Sequence, residues 1–221
     1  MFSSTLQELL TFFRNPQEHI SKSEPLSAKV KTLVTTYLIF LVPVFLSTSF
    51  FILAEYLGVV SEDDHKLTDM LGDTHIAVIF LLVVLMAPFW EELFFRLPLK
   101  WNRAYIFKLL LSPFYLGGKK AYQRRLAQFY LWWKKHYGVI FYFTVVAFGL
   151  IHIANFRDLG SIWQVLLWGP LLVMPQLVLG CLLGFIRLRL GFWWAVALHA
   201  THNFIFVGIA LLAQAAETAN M

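Results

Sequence analysis

The sequence predicts an all-α fold: a polytopic membrane helical bundle of about five transmembrane helices, with an N-terminal interfacial helix and a basic interfacial hairpin. Three observations predict it. Of 221 residues, 59% are hydrophobic and only 14% charged, and the mean hydropathy is +0.66. A soluble body of 25.6 kDa would need more polar surface than that. Apolar runs at about 32–60, 76–99, 137–155, 161–186 and 191–213 each approach or exceed the roughly 20 residues of a spanning helix. The 18 Lys and Arg then sort by side: 4 lie in the N-terminal segment, 10 in 96–135, and Arg187 and Arg189 close the fourth run. The opposite side receives only Lys66 and Arg157. The positive-inside rule therefore puts the N-terminus in the cytoplasm and the C-terminus across the membrane.

Residues 1–31 read as a cytoplasmic amphipathic segment, 32–213 as the transmembrane bundle and 214–221 as a C-terminal tail. In the first segment Phe2, Leu6, Leu9, Leu10 and Phe13 recur at helical spacing opposite Gln7, Glu8 and Arg14, with Ser4 and Gln7 in capping-box register. That pattern suits a helix lying on the membrane; a frayed tail is the alternative. The segment has no apolar core or cleavage site of a secretory signal. Glu62, Asp63, Asp64, Asp69 and Asp73 fill the loop after the first run. Between runs two and three, Tyr105, Ile106 and Leu109–Leu111 lead through Pro113, Gly117 and Gly118 into Lys119, Lys120, Arg124, Arg125, Tyr130, Trp132 and Trp133. This is a hairpin at headgroup level, read as fixing topology rather than docking substrate.

The net charge of +5 sits between apolar runs, where lipid phosphate is the nearer partner and nucleic acid is not expected. Cys181, the single cysteine, excludes an internal disulfide and packs as a small hydrophobe. Gly180 and Gly184 form a GxxxG pair suited to close packing inside the bundle. The chain is small, which leans toward a bacterial inner membrane.

Polar residues inside the runs carry the functional reading, because an ionisable group at a helix centre costs on the order of 2.5–3.5 kcal/mol to insert. Glu91, Glu92 and Arg96 follow a nearly pure hydrocarbon stretch. On a helix Glu92 and Arg96 share a face and Glu91 is turned about 100° away, so one carboxylate is paired and one is left over. Phe148, His152 and Asn155 share a face of the third run, and His199 and Asn203 point the same way in the fifth, with His202 beside them. Singly, each set serves as polar glue between helices. Together they contain the parts of a water-activating site.

Glu91, Glu92 and Arg96 match EExxxR, Phe148 and His152 match FxxxH, and His199 with Asn203 matches HxxxN, in that order. The sequence thus resembles the CAAX protease and bacteriocin-processing family of intramembrane glutamic endopeptidases, with the likeness covering about residues 76–205. Two features depart from the family pattern: Leu97 and Pro98 follow Arg96 where glycine is common, and the basic insert lengthens the gap between the first two motifs. Both bear on the substrate entrance more than on the catalytic groups.

The resemblance implies an endopeptidase acting on a membrane-associated protein or peptide, by CAAX-type processing or peptide maturation. Glu91 is then the general base, neutral His152 orients the same water, and His199 with Asn203 stabilises the oxyanion. Glu92 and Arg96 support the site, with His202 and Asn155 left open. No cofactor is expected; zinc is the alternative, since two His and a Glu form a ligand set, although the HExxH spacing is missing. A non-catalytic binding or immunity protein on the same scaffold is the rival function, and transport a third reading weakened by the lack of paired repeats. One tension accompanies the catalytic reading. Upright helices counted at 1.5 Å per residue put Glu91 and His199 about 12 Å deep but His152 about 25 Å deep.

Overall fold

The computed structural model describes residues 2–18, 24–58, 74–156 and 162–219, and is helical with no strand among them. The acidic loop with Lys66, the turn with Arg157 and the last two residues of the expected tail lie outside the described residues. Helix α1 spans Phe2–Arg14 and α2 Leu26–Tyr56. Helix α3 is a composite of Ile76–Ile79, a π-helical stretch Phe80–Met86, and Ala87–Phe95. The hairpin follows as α4, Tyr105–Leu110, and α5, Lys119–Lys135. Then come α6, Tyr137–Ile151; α7, Ile162–Leu172; α8, Met174–Arg189; and α9, Phe192–Ala219.

Four stretches are long and apolar enough to cross a membrane, at Leu26–Phe50, Ile76–Leu99, Tyr137–Asn155 and Phe192–Ala216. The fifth crossing is broken. Helices α7 and α8 meet at a 49° bend where one straight helix over 161–186 is expected. Pro175, in the first turn of α8, supplies no N–H to the carbonyl four residues back and crowds it, so the rod ends at Leu172 and restarts. With that bend counted as one span, the chain is an integral membrane protein of five crossings.

Helix α8 is the hub, packing on α6, α9 and α2. Its glycines permit this. A Cβ on Gly184 would stand 2.6 Å from Phe141 Cε2, so only glycine lets α8 approach α6 this closely. The GxxxG pair is therefore used inside the chain.

Helix α1 starts at Phe2, which places Ser4 inside the first turn rather than ahead of the helix. Its apolar side is only partly left for lipid. Leu9 is buried in the core, and Phe12 meets Phe141 and Phe185 edge to face, while Leu6 and Leu10 stay exposed. Arg189 at the end of α8 pairs with Glu8 and Glu24 at 2.7 Å each, and the Glu18 carboxylate accepts the Trp101 N–H at 3.0 Å. The three basic segments thus gather at one end of the bundle. In the hairpin, Gly118 turns the chain at φ +93°, and Arg125 lies 5.3 Å from the Phe114 ring centre.

Candidate active site

Three helices bring the ionisable residues to one place. Pro88 sits in the first turn of Ala87–Phe95, and this segment presents Glu91 and Glu92 on adjacent faces. Its C-terminal end is held by Arg187, whose Nε and Nη2 donate to the carbonyls of Arg96 and Leu97 at 3.1 and 3.5 Å. The Arg96 carbonyl also accepts the Leu99 N–H at 3.2 Å, and a cation at this helix end answers its dipole.

Glu92, fully buried, does more than hold Arg96. Its Oε1 lies 3.7 Å from Arg96 Nε, too long for a hydrogen bond, and accepts from His199 Nδ1 at 3.1 Å. Arg96 itself is 1% exposed, and its guanidinium carbon stands 3.8 Å from the Phe148 ring centre. Neither Nη1 nor Nη2 has a hydrogen-bond partner among the described residues. The ring face therefore takes part of the charge that the carboxylate does not reach. A Cβ on Gly180 would press within 3.2 Å of both Arg96 Nη2 and Phe148 Cδ1, which explains the small residue there.

Glu91 occupies the space between two imidazoles. Its Oε2 is 3.6 Å from His199 Nε2 and 3.9 Å from His152 Nε2, and its side chain is 26% exposed against 2% for His199 and 15% for His152. Both tautomers follow from the far nitrogen. His152 Nδ1 is 2.7 Å from the Phe148 carbonyl and His199 Nδ1 is 3.1 Å from a carboxylate, and both partners only accept. Each neutral ring therefore turns a bare Nε2 lone pair toward Glu91. Three acceptors converging at 3.6–3.9 Å match a single small donor such as water bridging them.

Side-chain direction closes part of the depth gap. Helix α6 does start at Tyr137, yet helical side chains lean toward their own N-terminus. The bond from His152 to the Phe148 carbonyl shows the ring folded back by about one turn, roughly 5 Å toward the basic end. Glu91 sits on a helix running the other way and leans deeper, so the two converge. The remaining difference requires α6 to run obliquely to α3.

Not every candidate joins the cluster. Asn203 lies one turn beyond His199 and donates from Nδ2 to the Val83 carbonyl at 2.8 Å, an engagement that the motif does not reveal. His202 turns to α2 and its own helix, its ring packed against Tyr37, Phe40 and Phe206. It is separate from Glu91. Asn155 closes the short turn after α6, and no contact among the described residues ties it to Glu91 or His199. Phe148 is more central than a packing residue, because its ring meets Arg96, His152 (4.7 Å) and His199 (5.7 Å) at once. The FxxxH spacing was its only signal.

No group of three or more His, Cys, Asp or Glu among the described residues is arranged to hold a metal ion. The family model described as type II CAAX prenyl endopeptidase Rce1-like matches residues 73–205, more than half of the chain. No curated protein and no solved structure matches it.

Proposed function

The chain belongs to the Rce1-like type II CAAX prenyl endopeptidase family, and we propose that Glu91 activates the water by which it hydrolyses a peptide bond of a membrane-associated protein or peptide. Membership makes it a protease of CAAX type, and its apolar helices make it an integral membrane protein. The reading rests on one observation: a carboxylate oxygen within 4 Å of Nε2 atoms from two other helices.

In this reading Glu91 takes a proton from water that His152 Nε2 also accepts from, which aims the oxygen lone pair at the scissile carbonyl. The carbonyl carbon gains the hydroxide and its oxygen becomes an oxyanion. Asn203 donates to that oxyanion. His199 takes up a proton from solvent before the attack and keeps it through the cycle, so that as the imidazolium, the only form that carries protons on both nitrogens, it donates through Nε2 to the oxyanion. The Nδ1 proton rests on Glu92, so the buried carboxylate answers the imidazolium charge that would otherwise be unpaired. Glu91 returns its proton to the leaving amine as the C–N bond breaks. The donor set needs no metal; chelator-treated enzyme is expected to keep its turnover, and activity restored only by stoichiometric zinc would replace this account.

We place the N-terminus in the cytoplasm on the strength of the basic residues gathered at one end of the bundle, and the protein in a bacterial inner membrane on its small size. The chemistry is tested by trapping. Glu91→Gln expressed in the native membrane is expected to enrich intact proteins that the wild type cleaves, and a folded trap that enriches nothing contradicts the proposal. A binding or immunity protein predicts the opposite pattern: Glu91→Gln keeps function while Glu92→Ala or Arg96→Ala unfolds the chain.

A further inference from the structure

The carbonyl that holds Asn203 is available because of two local features of α3. Through Phe80–Met86 the helix is π-helical, and the Ala87 N–H bonds to the Leu82 carbonyl, five residues back. In that register the Val83 carbonyl would receive the N–H of residue 88. Residue 88 is proline and has none. Val83 therefore offers its oxygen to the bundle, and Asn203 Nδ2 takes it at 2.8 Å.

The surroundings make this bond selective. Ile79, Val84 and Val207 form a buried apolar cluster with Phe80, Val83 and Leu211 against it, and Phe80 meets Phe204 edge to face at 5.5 Å. A carbonyl left unmet in such a seam is strongly disfavoured, because no water is there to take the bond. The amide of asparagine has two ends of nearly equal shape, and a carbonyl can only accept. Val83 thus chooses the nitrogen end and fixes the rotamer, leaving the second Nδ2 proton to donate elsewhere.

We propose that Pro88 and the π-helical turn ahead of it are positioning elements for Asn203, the missing N–H at residue 88 freeing the Val83 carbonyl that orients the amide for the oxyanion. The proposal rests on Asn203 acting as an oxyanion donor.

Two replacements at position 88 separate this from a merely structural role. Pro88→Ala restores an N–H that satisfies the helix carbonyls internally. Lactic acid at 88, the α-hydroxy analogue of alanine, removes the ring but, like proline, brings no N–H. In full-length protein labelled with 15N-asparagine, the Asn203 side-chain NH2 signals are expected to move in Pro88→Ala and to stay in the lactic acid protein. With a prenylated CAAX-tailed peptide in proteoliposomes, Pro88→Ala is expected to lose kcat toward the level of Asn203→Ala, about 10²–10³-fold, with KM little changed. The double variant should be no slower than Asn203→Ala alone, and the lactic acid protein should turn over near the wild-type rate. Unmoved NH2 signals in Pro88→Ala, additive losses, or equal losses from both replacements overturn the proposal. Normal turnover by Asn203→Ala beside a dead Glu91→Gln removes the oxyanion assignment and this proposal with it, whereas cleavage by Glu91→Gln removes the peptidase mechanism instead.

Discussion

Two arginine–carboxylate sites in this molecule are built in opposite ways. At the basic end of the bundle, Arg189 meets Glu8 and Glu24 at 2.7 Å with all three side chains partly exposed. Deep in the bundle, Arg96 and Glu92 are 1% and 0% exposed, stand 3.7 Å apart, and leave Arg96 Nη1, Nη2 and Glu92 Oε2 without hydrogen bonds among the described residues. The exposed clamp has the better geometry and the lower stakes, since water would solvate its members if it opened. The buried set has poorer geometry in a place where each unmet charge costs far more. A bundle selected for stability alone would carry apolar residues there. What the buried set does instead is hold His199 by Nδ1 and turn Nε2 of that ring toward Glu91.

Mutations at the two sites should therefore differ in size and in kind. The largest loss of stability is expected for Arg96→Met, which strands the buried Glu92 carboxylate and should lower unfolding free energy by about 3–5 kcal/mol. Thermal melts in detergent measure it, and a melt like that of the wild type would mean that the pair is not one charged unit. Asn203→Ala is expected to slow turnover by about 10²–10³-fold, with a smaller effect on the melt. A rate close to wild type would take the residue out of the mechanism. Glu92→Gln keeps the shape while weakening the charge-assisted bond to His199, worth about 1.5–3 kcal/mol, so a drop in kcat of roughly 10- to 100-fold is expected. An unchanged kcat would show that the ring needs no carboxylate behind it. Arg189→Ala should cost under about 1 kcal/mol and leave kcat alone. If it instead abolished turnover, docking of α1 would belong to the catalytic apparatus.

Much of this was legible in the chain because hydrocarbon penalises every polar residue that lacks a task. The crossings, the hairpin and the grouping of Glu91, Glu92, Arg96, His152 and His199 could be read from where polar groups interrupt apolar runs. Features that depend on backbone register were not legible. The break at Val173 turns on how one proline is accommodated, and the Asn203 bond depends on a π-helical turn that leaves no mark in periodicity. Counting rise per residue misplaced His152, because depth along an axis ignores the lean of side chains toward a helix N-terminus. The link from His199 to Glu92 was hidden by treating Arg96 as the sole partner of that carboxylate.

The central claim is that Glu91, and not the buried Glu92, deprotonates the attacking water. Its most direct test is the kcat of Glu91→Gln on a prenylated CAAX-tailed peptide in proteoliposomes, measured beside its melting temperature. The account predicts a rate lower by at least about 10²–10⁴-fold with an unchanged melt. A folded Glu91→Gln that cleaves the peptide at the wild-type rate would contradict it.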